Sequence, residues 1–321
     1  MHSIKRSTIG LIALAGLIAI LAWWVDRTAP KAGLVALVLL TLTTGFFHGA
    51  LDAVILLRQF RPMANAFIWA LAYLVAVLVL GAAFAPHAGM ALVLLLLLSI
   101  WHFGEPFGRA ESPCASLNAL DRFVLGGASV LLPALTSARQ LESLSYGWFN
   151  LNDQWAWLVW QALAWAWLGW LVFWAWRHAR LHWHSARWTA GEVAAIAVLN
   201  LFLTPLMAFA LYFGLYHAPM HIVRVARASE IRRIALSPVT LLTVVATLAL
   251  AALLLWWLEP QAMSRWQNPT SLYLQWLVVG LLALTVPHMV LISYSAHWLS
   301  KSGTTQGRSA ARGQNPDDHG V

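Results

Sequence analysis

Charged side chains are scarce in this sequence, at 10% of 321 residues, against roughly 25% in an ordinary soluble domain. With 60% of the residues hydrophobic, there is too little polar surface to cover a globule in water. Cysteine is almost missing. The single Cys114 allows no internal disulfide and excludes a cysteine-based metal site. Lysine is confined to Lys5, Lys31 and Lys301, so the long apolar runs contain no lysine amine. The basic start and apolar run of Met1 to Trp24 is followed by Asp26 and Arg27 rather than a small-residue cleavage site. It therefore reads as a first membrane span and not as a cleaved leader. The formal net charge of +8 needs no nucleic-acid partner, because Lys and Arg in a membrane protein report orientation.

What is present is a series of apolar runs. A helix of about 20 apolar residues crosses the hydrocarbon core, and ten such runs can be marked. They lie near 8–25, 33–57, 65–85, 89–104, 117–137, 155–176, 190–205, 206–223, 238–258 and 272–298. Only Thr204-Pro205 separates the seventh from the eighth, and proline there favours a tight turn. With the N-terminus inside, sixteen of the 20 Lys and Arg residues fall on the cytoplasmic side and only Arg27, Lys31, Arg139 and Arg265 outside. That bias predicts an all-α polytopic transmembrane helical bundle of about ten spans with both termini cytoplasmic. Residues 1–300 are expected to form one transmembrane domain, and the polar residues 301–321 a disordered tail. Eight of the 20 tryptophans sit between Trp155 and Trp176. They fit interfacial belts and lipid-facing bulk, or an aromatic wall beside a long apolar ligand.

Ionisable groups inside spans are costly and are functional candidates by default. Five of the 12 histidines fall there: His48, His102, His217, His221 and His288. Counted back from Arg58, Arg109 and Arg224, the first four lie at matched depth, roughly 5–15 Å below the inner surface at 1.5 Å per residue. His288, thirteen residues before Lys301, is expected deeper. His217 and His221 are i and i+4, on one helical face, with Pro219 between them as a source of a kink. Asp52 follows His48 at i+4 and Glu105 follows His102 at i+3. Each carboxylate is thus a candidate acceptor for its histidine's ring. Imidazole donors alone suit iron, copper or zinc, and the spacing does not choose among them. A lone membrane histidine can also serve as a hydrogen-bonding bridge between helices, but five together favour a metal site.

At these same residues the chain resembles the Brp/Blh-like family of membrane β-carotene 15,15′-dioxygenases. The resemblance is carried by Gly45-Phe46-Phe47-His48-Gly49-Ala50-Leu51-Asp52, by Trp101-His102-Phe103-Gly104, by Tyr212-Phe213 leading into His217-x-x-x-His221, and by Pro287-His288. These motifs stand in the family's order from about residue 40 to residue 292. Ala218 and Met220 occupy positions where the family often has a serine and a basic residue. The resemblance implies a non-haem Fe2+ enzyme that uses O2 to split the central double bond of β-carotene into two retinals. It implies His48, His102, His217 and His221 as iron ligands, with His288 as a further site residue near the iron or along the substrate channel. It also implies a bacterial inner membrane, with lipid around the chain and an apolar polyene entering from the bilayer.

Two other classes compete. A membrane di-iron hydroxylase or desaturase would use His178, His182 and His184 together with His217 and His221. That stretch lies among Arg177, Arg180 and Arg187, whose charges oppose a cation, and no H-x-x-H-H box is present. A carotenoid, haem or metal carrier would also place histidines on several helices. A transporter would more naturally carry paired half-repeats or intramembrane acids, and neither is evident. A retinal-binding rhodopsin is excluded by the absence of a lysine within any span.

Overall fold

A computed structural model describes residues 17–29, 31–59, 63–104, 119–149, 154–181, 183–228 and 274–293, with parts of 238–249. The described residues are helical and contain no strand. Helix α1 covers residues 17–28. Helix α2 (Ala32–Leu40) runs through a π-helical turn (Thr41–Gly45) into α3 (Phe46–Gln59). Helices α4 (Met63–Phe84) and α5 (Ala88–His102) meet at a short 3-10 turn, Ala85–His87, with Pro86 in its first turn. Then come α6 (Ala119–Val130), α7 (Leu132–Thr136), α8 (Ala138–Phe149), α9 (Gln154–Leu181) and α10 (Trp183–Phe202). Helix α11 (Pro205–Leu211) continues through a second π turn (Tyr212–His217) into α12 (Ala218–Ala228). Helix α13 spans Leu274–Ser293.

Among the described residues, five stretches are long and apolar enough to cross a membrane: Ala32–Leu57, Asn65–His102, Trp157–His178, Pro205–Val223 and Leu274–Ser293. The 38 residues of the second would extend about 57 Å at 1.5 Å per residue, nearly twice a hydrocarbon core of about 30 Å. Its 3-10 turn at Pro86 divides it where two expected spans meet. Large apolar side chains cover the exposed surface of α4. Phe67, Ile68, Leu71, Val75 and Val79 of α4 are all exposed. A helix that is hydrophobic all round needs burial or lipid, so several apolar helices here are compatible with a membrane protein.

The break between α10 and α11 falls at Thr204, whose backbone is extended (φ −63°, ψ 154°) ahead of Pro205. Proline at the first helical position is preorganised for the new helix and loses no needed donor. The carboxylate of Asp26, at the end of α1, accepts from the Thr204 N–H at 2.6 Å and from its hydroxyl at 2.7 Å. The turn is thereby pinned from a distant part of the chain. Glycine permits the close helix crossings. A Cβ on Gly126 of α6 would collide with the Ile100 carbonyl of α5, and one on Gly214 would lie 2.5 Å from the Leu40 Cβ of α2. Small residues at such crossings let backbones approach where no hydrophobic effect drives helix association.

The largest apolar core joins α5, α6, α9, α10 and the second π turn around Leu125, Leu131, Trp167, Trp174 and Tyr212. A second cluster packs α13 (Val278, Val279, Leu282) on α5 (Ala88, Ala91). The Trp-rich α9 thus divides its residues. Trp167 and Trp174 are buried in the core, while Trp165, Trp170 and Trp176 are exposed.

Candidate metal centre

Both π turns stand directly before site histidines. The Thr43 and Thr44 hydroxyls donate back to the carbonyls of Leu39 and Leu40, at 2.8 and 3.0 Å. Such bonding perturbs the regular helix ladder, and it coincides with the π turn Thr41–Gly45. The second π turn ends on His217 itself. An extra residue in a turn rotates the downstream side chains by about 100° about the helix axis. His48 and His221 come after such a rotation and His217 closes the second turn, and the two π turns press together where a Cβ on Gly45 would be 3.0 Å from Phe213.

The five histidines named from the sequence come together from four separate stretches of chain. His48 lies at the centre. Its ring centroid is 4.1 Å from His221, 4.8 Å from His288, 5.5 Å from His217 and 5.6 Å from His102. His102 is 5.1 Å from His217 and 5.3 Å from His288. His48, His217, His221 and His288 are buried and His102 is partly buried. Two groups have ligand atoms mutually within 4.8 Å: His48, His102 and His217, and His48, His221 and His288. His48 belongs to both. The i, i+4 pair His217 and His221 stacks at 6.4 Å and is divided between the two groups. His288, expected deeper from its distance to Lys301, sits within the cluster.

Asp52 is buried beside the histidines, but it bonds differently from what helix spacing suggested. Its Oδ1 is 2.8 Å and its Oδ2 3.0 Å from His288 Nδ1, whereas His48 Nδ1 has no hydrogen-bond partner among the described residues. The i, i+4 relation put Asp52 on the His48 face of α3, and α13 packs against that face and supplies the nearer ring. The Tyr73 hydroxyl of α4 also donates to Asp52 Oδ2, at 2.7 Å. Tyr73 was not found by sequence reasoning. The available signal was a single hydroxyl in the middle of a long apolar helix. Glu105 lies outside the described residues.

An apolar wall closes the cluster. Phe103 meets His217 edge-on at 4.5 Å, and Phe213 stacks with it at 6.1 Å. An unsatisfied buried nitrogen costs about 1–3 kcal/mol, and among the described residues His48 Nδ1 and His288 Nε2 are both buried without a hydrogen-bond partner. His217 Nε2 and His102 Nε2 face each other at 3.3 Å. Converging imidazole nitrogens in a largely buried cluster fit a borderline transition-metal ion such as iron, copper or zinc. His178 is set apart. Its Nδ1 donates to the Trp174 carbonyl at 3.0 Å within α9, and it belongs to neither metal-competent group among the described residues. His182 and His184 carry no described side chains.

The fold and site therefore define an all-helical protein with membrane-compatible spans and a buried histidine cluster able to hold a metal. The chain belongs to the beta-carotene 15,15'-dioxygenase family, whose sequence model matches residues 38–295. That match takes in all five histidines and Asp52, and it establishes the Brp/Blh-like resemblance. No curated protein matches the chain, and no solved structure does.

Proposed function

We propose that this chain is an iron-dependent membrane enzyme that cleaves the central 15,15′ double bond of β-carotene, or of a closely related carotenoid. The balance is simple. One polyene and one O2 give two retinals, with both oxygen atoms entering the products and no external reductant. The observation that carries the reading is the gathering of His48, His102, His217, His221 and His288 into one buried cluster in a chain of this family. His48, His102, His217 and His221 would hold Fe2+, leaving His288 at the edge of the same centre. When bound, iron supplies the activation of O2 that a closed-shell olefin needs.

The remaining work falls to the chain. Phe103 and Phe213 keep water from the histidines, which protects reactive species from side reactions. The lipid-compatible exterior allows a long hydrocarbon to enter sideways from the bilayer. Choosing one bond within the polyene then depends on how far each half can slide past the metal. Ten spans with both termini cytoplasmic, in a bacterial inner membrane, remain the layout that best accommodates the charge bias.

Expression in a β-carotene-accumulating bacterium tests the activity. Loss of orange colour with chromatographic appearance of retinal is the expected result. Retained colour and no retinal in well-expressed, iron-loaded cells would reject β-carotene cleavage. Iron analysis is expected to give one ion per chain, and two would favour the di-iron class instead.

A further inference from the structure

We propose that Tyr73 is a positioning residue which, acting through Asp52, holds His288 as a fifth nitrogen donor to the metal centre. The inference rests on the proposed metal centre and extends its donor set beyond four histidines.

Three helices meet at this point. The Tyr73 hydroxyl of α4 is 2.7 Å from Asp52 Oδ2 on α3 and 3.4 Å from the Leu284 carbonyl on α13, one turn before His288. Asp52 Oδ1 is 2.8 Å from His288 Nδ1. A carboxylate offers only lone pairs, so the tyrosine O–H and the imidazole Nδ1–H must both be donors. The opposite tautomer would set a nitrogen lone pair against carboxylate lone pairs at this distance. With the hydrogen on Nδ1, the lone pair of His288 lies on Nε2. That atom is buried and has no hydrogen-bond partner among the described residues, and His288 groups with His48 and His221 as a metal-competent set.

A carboxylate behind a ligating imidazole fixes the ring and its tautomer and raises its donor strength. Asp52 supplies that carboxylate, and Tyr73 in turn fixes Asp52. Without the phenol, the carboxylate would lose the donor that holds Oδ2 and would be freer to rotate away from Nδ1. A purely architectural tie between helices would explain the Tyr73–Asp52 bond. It would leave the buried Nε2 of His288 without a partner among the described residues.

The test uses the full chain purified in detergent, stripped of metal and titrated with Co2+, whose visible bands report the ligand set without turnover. Tyr73→Phe removes one hydroxyl and keeps the ring. It is expected to weaken Co2+ binding about tenfold, in the range of outer-partner effects on metal sites, and to move the bands in the direction seen for His288→Ala. In an Asp52→Asn background, Tyr73→Phe should add nothing, because the two act in series. Wild-type affinity and bands in Tyr73→Phe, or an equal loss on top of Asp52→Asn, would overturn the proposal. If Tyr73→Phe does not fold, Asp52→Asn alone decides, since unchanged bands there would overturn it equally. His217→Ala separates the two levels. Undiminished Co2+ binding in that variant would sink the metal centre itself, whereas its loss alongside an unaffected Tyr73→Phe would remove only the role of Tyr73.

Discussion

Replacing His48 with alanine removes the one ring shared by both histidine groups. Without it, the first group retains only His102 and His217, and the second only His221 and His288. Favourable structural metal sites with four ligands are worth about 10–16 kcal/mol, so one donor carries roughly 2.5–4 kcal/mol, or about 10²–10³ in affinity. His48→Ala breaks both groups and should therefore exceed that loss. His288→Ala leaves the group of His48, His102 and His217 intact and should fall below it. The assay is iron per chain after purification, by elemental mass spectrometry, with a Co2+ titration of the stripped protein. His48→Gln, closer in volume and still polar, guards against loss of fold as the cause. Wild-type iron content in His48→Ala, or a smaller loss there than in His288→Ala, would refute the central placement of His48.

Packing yields three further expectations. Gly126→Ala sets a methyl against the Ile100 carbonyl and Gly214→Ala sets one against Leu40. Each should cost about 1–3 kcal/mol, read as a lower melting temperature in detergent. Gly169→Ala, with nothing within 4 Å, should instead be neutral or gain up to about 1 kcal/mol from helix propensity. Trp167→Phe deletes the indole N–H donated to the buried Val124 carbonyl at 3.0 Å. It should cost about 1–3 kcal/mol, and an unchanged melting temperature would contradict the packing of α9 on α6. Asp26→Ala leaves the start of α11 without its two hydrogen bonds. A loss of about 0.5–2 kcal/mol is expected, as for other helix caps, with earlier proteolysis near Thr204 as the local readout.

Much of this protein can be read directly from its residues. Too few charges for a water-soluble globule, long apolar runs and five histidines inside them predict a helical membrane class with a metal-site candidate. Thr204-Pro205 marks a helix break because proline acts on its own backbone and its neighbour's, whatever surrounds it. The histidine motifs also carried the family resemblance, since identity and order along the chain suffice for that.

Other features depended on what lies across an interface. Helix spacing placed Asp52 on the face of His48, and that was true of α3 alone. The partner turned out to be His288, because α13 brings its ring to Asp52 Oδ1, while His48 Nδ1 has no hydrogen-bond partner among the described residues. Distance to Lys301 put His288 deeper than the others, but a span's tilt and its crossing with neighbours decide where a ring ends up. The π turns before His48 and at His217, the division of His217 and His221 between two groups, and Tyr73 reaching Asp52 from α4 were likewise not visible. Periodicity along one helix states which residues share a face. Only packing states which helix that face meets, and a histidine cluster assembled from four separate stretches of chain is made entirely of such meetings.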